Sequence, residues 1–172
     1  ITTISSSWRQ GQRLSVGLGK LMKKDDRKTM SMIHYLTYAG LLPFIIAAIC
    51  ISTGIESLPL LGQVESILSV YTLVIISFLA GAHWGQSLVI FDTNWAIYLA
   101  IFSNAIAVAL WLGFVLAGFK IKISIFIVLL AVLLCIDHKL LKIGVISSDY
   151  FSLRLRVSSA VILLLVLTGV LT

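Results

Sequence analysis

The chain has 172 residues, of which 59% are hydrophobic and 12% are charged, with a mean hydropathy of +1.08. These proportions exclude a water-soluble domain, which is nearer half apolar and a quarter charged. The formal net charge is +6, but seven of the 13 lysines and arginines precede residue 29 and the rest flank apolar runs, which is typical of lipid headgroup contacts and not of nucleic-acid binding.

Residues 1–32 form a basic, serine-rich arm, which we expect to be partly disordered. The arm has no acidic residue before Asp25, and it carries Arg9, Arg13 and several serines. This composition resembles that of a mitochondrial transit region. The alternative is a cytoplasmic or matrix tail whose cations contact anionic lipid headgroups.

Apolar runs then predict five transmembrane helices, since a span needs about 20 apolar residues. The fold class predicted is an all-α integral membrane protein in which residues 33–172 form a five-helix domain. The spans are expected at about 33–53, 67–90, 95–119, 121–136 and 157–172.

The fourth run is short, and it spans the membrane only if the helix continues through Asp137 while Lys120 and Lys122 extend to the headgroups. The alternative is half of a re-entrant hairpin that turns at Gly118. The fifth run can gain a turn from Leu153, which would place the following arginines at the headgroups.

The basic residues predict the orientation of the bundle. Eleven lysines and arginines fall on one side, in the arm and the 137–156 loop, against two on the other. By the positive-inside rule, the amino terminus is inside and the carboxyl terminus is outside.

The stretch SFLAGAHWG, residues 77–85, places Ser77, Gly81 and Gly85 four residues apart on one helix line. Small residues let helix backbones approach closely in lipid, so this line predicts a packing groove, either inside the bundle or against a partner. Pro43 lies in the middle of the first span, and we expect it to kink that helix where neighbouring helices can accommodate the bend.

His83 projects about 200° away from the groove, and a polar side chain at that depth needs a partner. We expect it to point into the bundle and to bond to a group of the first or third span. Further polar residues converge on the inner side, where Arg–Asp pairs joining helix ends are expected. The candidate polar cluster is His34, Tyr38, His83, Asn104, Asp137, His138, Arg154 and Arg156.

The chain shows no nucleophile with a base, no phosphate-binding loop and no paired catalytic carboxylates, so we do not expect an enzyme. We predict no cofactor. A metal or haem ligand role for the histidines is left open, because histidine and carboxylate ligands suit divalent ions.

The segments GLLPF (40–44), SFLAGAHWG (77–85), Asp137 and YFSLRLR (150–156) occur in this order in a known family. Residues 33–172 resemble the small multi-span inner-membrane proteins of the transmembrane protein sixty-nine group, which is catalogued as a domain of unknown function. The resemblance implies a multi-pass protein of the mitochondrial inner membrane or the bacterial cytoplasmic membrane. Asp149 departs from the pattern, at a position where an apolar or aromatic residue is expected.

Two functions are consistent with this sequence. The first is a non-enzymatic accessory or assembly subunit of a larger inner-membrane complex, for which a respiratory complex is the leading candidate. Its partners would be other membrane subunits and the bilayer. The alternative is a small carrier or a metal- or haem-binding protein that uses the inner histidines.

Overall fold

The computed structural model of the protein describes residues 31–90 and 94–172. The predicted arm, apart from its last two residues, therefore lies outside the described residues, as does its contact with lipid. The chain divides between Ala39 and Gly40 into two compact units. In the first unit, residues 31–39 form helix α1, on which the Thr37 hydroxyl donates to the Ile33 carbonyl oxygen at 2.7 Å.

The second unit consists of helices and one short hairpin. The helices are α2 (Leu42–Ser52), α3 (Val64–Val89), α4 (Asn94–Leu116), α5 (Phe119–Lys142) and α6 (Ser148–Leu171). The described residues provide five helices long and apolar enough to cross a membrane, the first of which is Ser31–Ser52. The prediction of an all-α membrane protein with five spans is confirmed.

The bounds of the last two spans differ from the prediction. Helix α5 continues for 24 residues without a break, so the re-entrant alternative for the fourth span is wrong. Helix α6 begins at Ser148, nine residues before the predicted start. The prediction was wrong because it treated Arg154 and Arg156 as headgroup residues, whereas Arg154 is buried within the helix.

The start of α6 is set by a helix cap. The Ser147 side chain accepts a hydrogen bond from the Tyr150 backbone N–H at 3.3 Å. Asp149 occupies the first turn, where its negative charge interacts favourably with the helix dipole. The departure of Asp149 from the family pattern is therefore compatible with a regular helix start.

Pro43 lies in the first turn of α2, directly after a turn at residues 40–41. Proline has no N–H, so it cannot continue the hydrogen-bond ladder of a preceding helix. The Tyr71 hydroxyl of α3 donates to the Gly40 carbonyl oxygen at 3.0 Å, and the Tyr71 ring meets Phe44 edge-to-face at 5.2 Å. Helix α3 thus accommodates the interruption, as the sequence predicted of a neighbouring helix.

The core of the second unit lies where α3 packs against α2, α4 and α5, and where α6 packs against α2 and α5. Its largest fully buried side chains include Phe44, Leu68, Ile76, Phe126 and Leu165. The 54–63 connection carries a two-stranded antiparallel ladder, β1 (Ser57–Leu58) with β2 (Gly62–Gln63), in the register Ser57 to Gln63. This hairpin joins α2 to α3 at the end of the bundle opposite Asp137.

Candidate functional site

Three polar side chains from three helices meet inside the bundle. The Nε2 atom of His83 on α3 lies 2.8 Å from Oδ1 of Asp137 on α5. Arg154 on α6 donates to the other carboxylate oxygen, Oδ2, from Nε at 3.1 Å and from Nη2 at 3.0 Å. Asp137 and His83 are 1% and 2% exposed and Arg154 is 8% exposed. We refer to these three residues as the polar cluster, and to the end of the bundle that holds them as the polar end.

The helix bounds explain why these side chains meet. His83 lies six residues before the end of α3, Asp137 five residues before the end of α5, and Arg154 six residues after the start of α6. At 1.5 Å per residue, all three lie about 8–9 Å inside their helix ends. A helix of 24 residues is about 36 Å long, against about 30 Å of hydrocarbon, so a centred bundle places the polar cluster about 5 Å inside the hydrocarbon.

The hydrogen bonds define the role of each atom. The carboxylate of Asp137 accepts from Arg154 on Oδ2, and its Oδ1 is the partner of His83, so the His83 Nε2 carries the hydrogen. In the neutral imidazole the other ring nitrogen, Nδ1, is then an acceptor, and it is buried without a hydrogen-bond partner among the described residues. The carboxylate has protein partners on both oxygens, while the imidazole has a partner on one side only.

The charges of Asp137 and Arg154 neutralise each other in a region that lipid surrounds. An isolated charge at this depth is expensive, so ionisable residues in membrane helices pair with one another inside the bundle. Two N–H groups of one guanidinium donate to Oδ2, and such charge-assisted hydrogen bonds are stronger than those between neutral groups. The ion pair ties α5 to α6, and His83 ties α3 to the same carboxylate.

Three other residues of the predicted polar set that lie in the second unit, Asn104, His138 and Arg156, do not join this cluster. Asn104 is exposed, and its Nδ2 donates at 2.8 Å to the Ala100 carbonyl oxygen of its own helix. His138 is exposed and lies 5.6 Å from the Phe151 ring, and Arg156 is exposed. His34 and Tyr38 lie on α1, in the first unit, with exposed side chains.

The burial of His83 confirms that it points into the bundle, but its predicted partner was wrong. The hydrogen bond comes from the fourth span, not from the first or third. The prediction ended that span at residue 136, which placed Asp137 at the headgroups instead of beside His83. With α5 extended to Lys142, His83 and Asp137 lie at about the same distance from the ends of their helices. This equal depth in the membrane is the signal that could have identified them as partners.

The groove of Ser77, Gly81 and Gly85 lies on the outside of the bundle. Ser77 and Gly81 are exposed and Gly85 is half-buried. A methyl group added at either glycine would have nothing within 4 Å. The alternative that this groove packs inside the bundle is therefore wrong for the described residues, and the partner alternative stays a prediction.

Two other glycines, which the sequence analysis did not single out, make the close contacts inside the bundle. A methyl group at Gly113 of α4 would lie 2.8 Å from Cδ1 of Ile125, and one at Gly169 of α6 would lie 3.2 Å from Cγ2 of Ile123. Both face α5. The spacing rule could have pointed to Gly113, since small residues stand four apart at Ala105, Ala109, Gly113 and Ala117. Gly169 has Leu165 four residues before it, so the rule gave no signal there.

Metal ligation is not favoured by the polar cluster. The described residues contain no group of three or more histidine, cysteine, aspartate or glutamate side chains that could hold a metal ion. The Asp137 carboxylate, the only buried one in the described ranges, already has both oxygens engaged by protein groups.

The fold and the cluster define an integral membrane protein with a helical bundle whose buried ion pair and histidine link three helices. A family model described as a protein of unknown function (DUF3429) matches residues 29–170, and the chain belongs to this family. The comparisons with curated proteins and with solved structures found no match.

Proposed function

We propose that the protein is a non-enzymatic accessory or assembly subunit of a larger complex in the mitochondrial inner membrane or the bacterial cytoplasmic membrane. A respiratory complex is the first candidate for the partner. The observation that carries the proposal is the exposed small-residue face of α3, which consists of Ser77, Gly81 and Gly85.

This face is suited to a protein contact. In lipid there is no hydrophobic drive between helices, and association depends on backbones that approach closely enough for van der Waals contact. Inside the bundle, Gly113 and Gly169 serve this purpose, since isoleucine side chains of α5 lie against them. A Cβ at Gly81 or Gly85 would meet no atom of the described bundle within 4 Å, so the face is available to a helix of another subunit.

The polar cluster supports a scaffold more than a carrier. A carrier needs polar groups that exchange partners with a solute, but both oxygens of the Asp137 carboxylate are engaged by His83 and Arg154. The three helices are joined at one carboxylate, and one of them, α3, carries the small-residue face. The cluster therefore favours the accessory-subunit proposal over the metal- or solute-binding alternative.

The proposed location and orientation are supported by charge. Lys139 and Lys142 occupy the last turn of α5 at the polar end, and most of the chain's other cations lie in the arm. The positive-inside rule then assigns the polar end to the matrix or cytoplasmic side. The Lys139 ammonium lies 5.4 Å from the Trp95 ring, a contact typical of residues at a membrane interface.

The proposal is tested by separating assembly from folding. In detergent, we expect the free energy of unfolding of Gly81→Leu to lie within about 1 kcal/mol of the parent's. A Cβ at this position meets open space, and leucine is a better helix former than glycine. The same variant should lose the larger complex on native gels of mildly solubilised membranes. Ala107→Leu, a small-to-large change at an exposed position of α4, is the matched control and should keep the complex.

Migration of Gly81→Leu in the same complex as the parent would contradict the proposal. So would migration of the parent protein as a single chain, in membranes from its own cell.

A further inference from the structure

The described part of the bundle leaves two buried polar side-chain atoms without a hydrogen-bond partner, and both are on α3. They are Nδ1 of His83 and Oε1 of Gln86. His83 is 2% exposed, so its ring nitrogen cannot be satisfied by bulk water. A buried acceptor without a donor is costly, and more so in a low-dielectric interior, so each such atom calls for a physical explanation.

The chemistry of both atoms is that of an acceptor. Because Nε2 of His83 faces the Asp137 carboxylate, the ring hydrogen is on Nε2 and Nδ1 presents a lone pair. The side-chain oxygen of Gln86 is an acceptor as well. In this orientation of the amide, the buried Gln86 atom without a partner is the oxygen, so the two acceptors do not satisfy each other, and one molecule that supplies donors can serve both.

The spacing makes His83 and Gln86 neighbours on the surface of one helix. Residues three apart on a helix are surface neighbours, with Cβ atoms about 5–6 Å apart. Helix α3 is continuous through both positions. A single small molecule with two hydrogens can therefore reach both atoms, and water has the size and geometry for this.

We propose that His83 Nδ1 and Gln86 Oε1 together hold one buried water molecule, which donates a hydrogen bond to each. This site is independent of the small-residue face of α3 and does not depend on the proposed function. The water extends the polar cluster into a chain of hydrogen bonds that runs from Gln86 through His83 and Asp137 to Arg154. His83 thereby links the proposed water to the buried ion pair.

A cation is a poorer occupant than water. The positive charge of Arg154 already balances the carboxylate, so a metal ion or ammonium would add an uncompensated charge in a region surrounded by lipid. One imidazole nitrogen and one amide oxygen also fall short of the roughly four ligands that a divalent metal prefers.

The test uses the full chain in lipid nanodiscs with ¹⁵N-labelled histidine, measured by solid-state NMR with magnetisation transfer from water. His83 resonances are assigned as those lost in His83→Gln. We expect a protonated Nε2, an unprotonated Nδ1 that accepts a hydrogen bond, and water transfer to Nδ1.

The matched variant is Gln86→Met, which keeps the shape of the side chain but removes the second acceptor. We expect the Nδ1 chemical shift to move toward that of an unprotonated nitrogen without a hydrogen bond, while the Nε2 chemical shift stays unchanged. The magnetisation transfer from water to Nδ1 should fall by half or more. The proposal is overturned by a proton on Nδ1, by absent water transfer, by a Nδ1 resonance that Gln86→Met leaves unchanged, or by a Nδ1 resonance that shifts on chelator treatment.

Discussion

Replacing Asp137 with alanine should destabilise the bundle more than any other single change of charge in the described chain. The side chain is 1% exposed and accepts hydrogen bonds from two helices. Without it, the Arg154 guanidinium keeps its charge in a buried position and His83 Nε2 loses its acceptor. The perturbation therefore leaves a charged donor and a neutral donor unpaired in the hydrocarbon.

The magnitude follows from this inventory. Removing one partner of a buried ion pair costs about 3–5 kcal/mol because the other charge is left uncompensated. The orphaned imidazole N–H adds about 1–3 kcal/mol where it cannot reach water. Relaxation of Arg154 toward the nearby polar end offsets part of this cost, so we expect a total of about 3–5 kcal/mol.

The assay is reversible unfolding in mixed micelles, followed by circular dichroism of the helices. Asp149→Ala is the control, because this aspartate is exposed in the first turn of α6 and its dipole interaction is worth only about 0.3–1 kcal/mol. The double variant Asp137→Ala with Arg154→Leu removes both charges, and we expect it to recover at least about 1 kcal/mol relative to the sum of the single variants. Strictly additive effects, or an Asp137→Ala cost no greater than that of the control, would refute the reasoning.

Further predictions concern folding and topology. His83→Gln, which can still donate to the carboxylate, should keep the protein folded, whereas His83→Leu should cost about 1–3 kcal/mol in the same unfolding assay; equal effects would contradict a hydrogen-bonding role. Tyr71→Phe should cost about 0.5–1.5 kcal/mol, because the hydroxyl bound to the turn before α2 is lost, and no change would show that this bond does not hold the turn. Gly169→Leu should cost about 1–3 kcal/mol from overpacking against α5, and a parent-like melting curve would disprove that close contact. Lys20→Cys and Ile146→Cys, in a background without the native cysteines, should show matching accessibility to a membrane-impermeant thiol reagent in sealed vesicles, whereas opposite accessibility would overturn the predicted orientation.

The sequence predicted the number of spans because long apolar runs separated by polar connections leave few alternatives in lipid. It was less accurate where polar residues enter the helices. Hydropathy treats Arg154 as a residue that belongs in water, but an arginine that pairs with an aspartate of another helix can lie inside the bundle. The fifth span was therefore started at residue 157, past the buried arginine.

The candidate site was only partly predictable for the same reason. His83 could be oriented from helix periodicity, because it lies opposite the small-residue line on α3. Its partner depended on the depth of Asp137, which in turn depended on where α5 ends. The periodicity of small residues also could not distinguish an internal groove from an external one, since Gly81 and Gly113 differ only in what packs against them.

The central claim is that the exposed small-residue face of α3 contacts another subunit. Crosslinking in the native membrane tests this claim most directly. We would incorporate p-benzoylphenylalanine at position 77, within the small-residue face, and at position 101, an exposed position of α4 whose isoleucine is 61% exposed. Our account predicts that irradiation gives one discrete protein adduct from position 77 and only lipid adducts from position 101. Lipid adducts alone from both positions would contradict it.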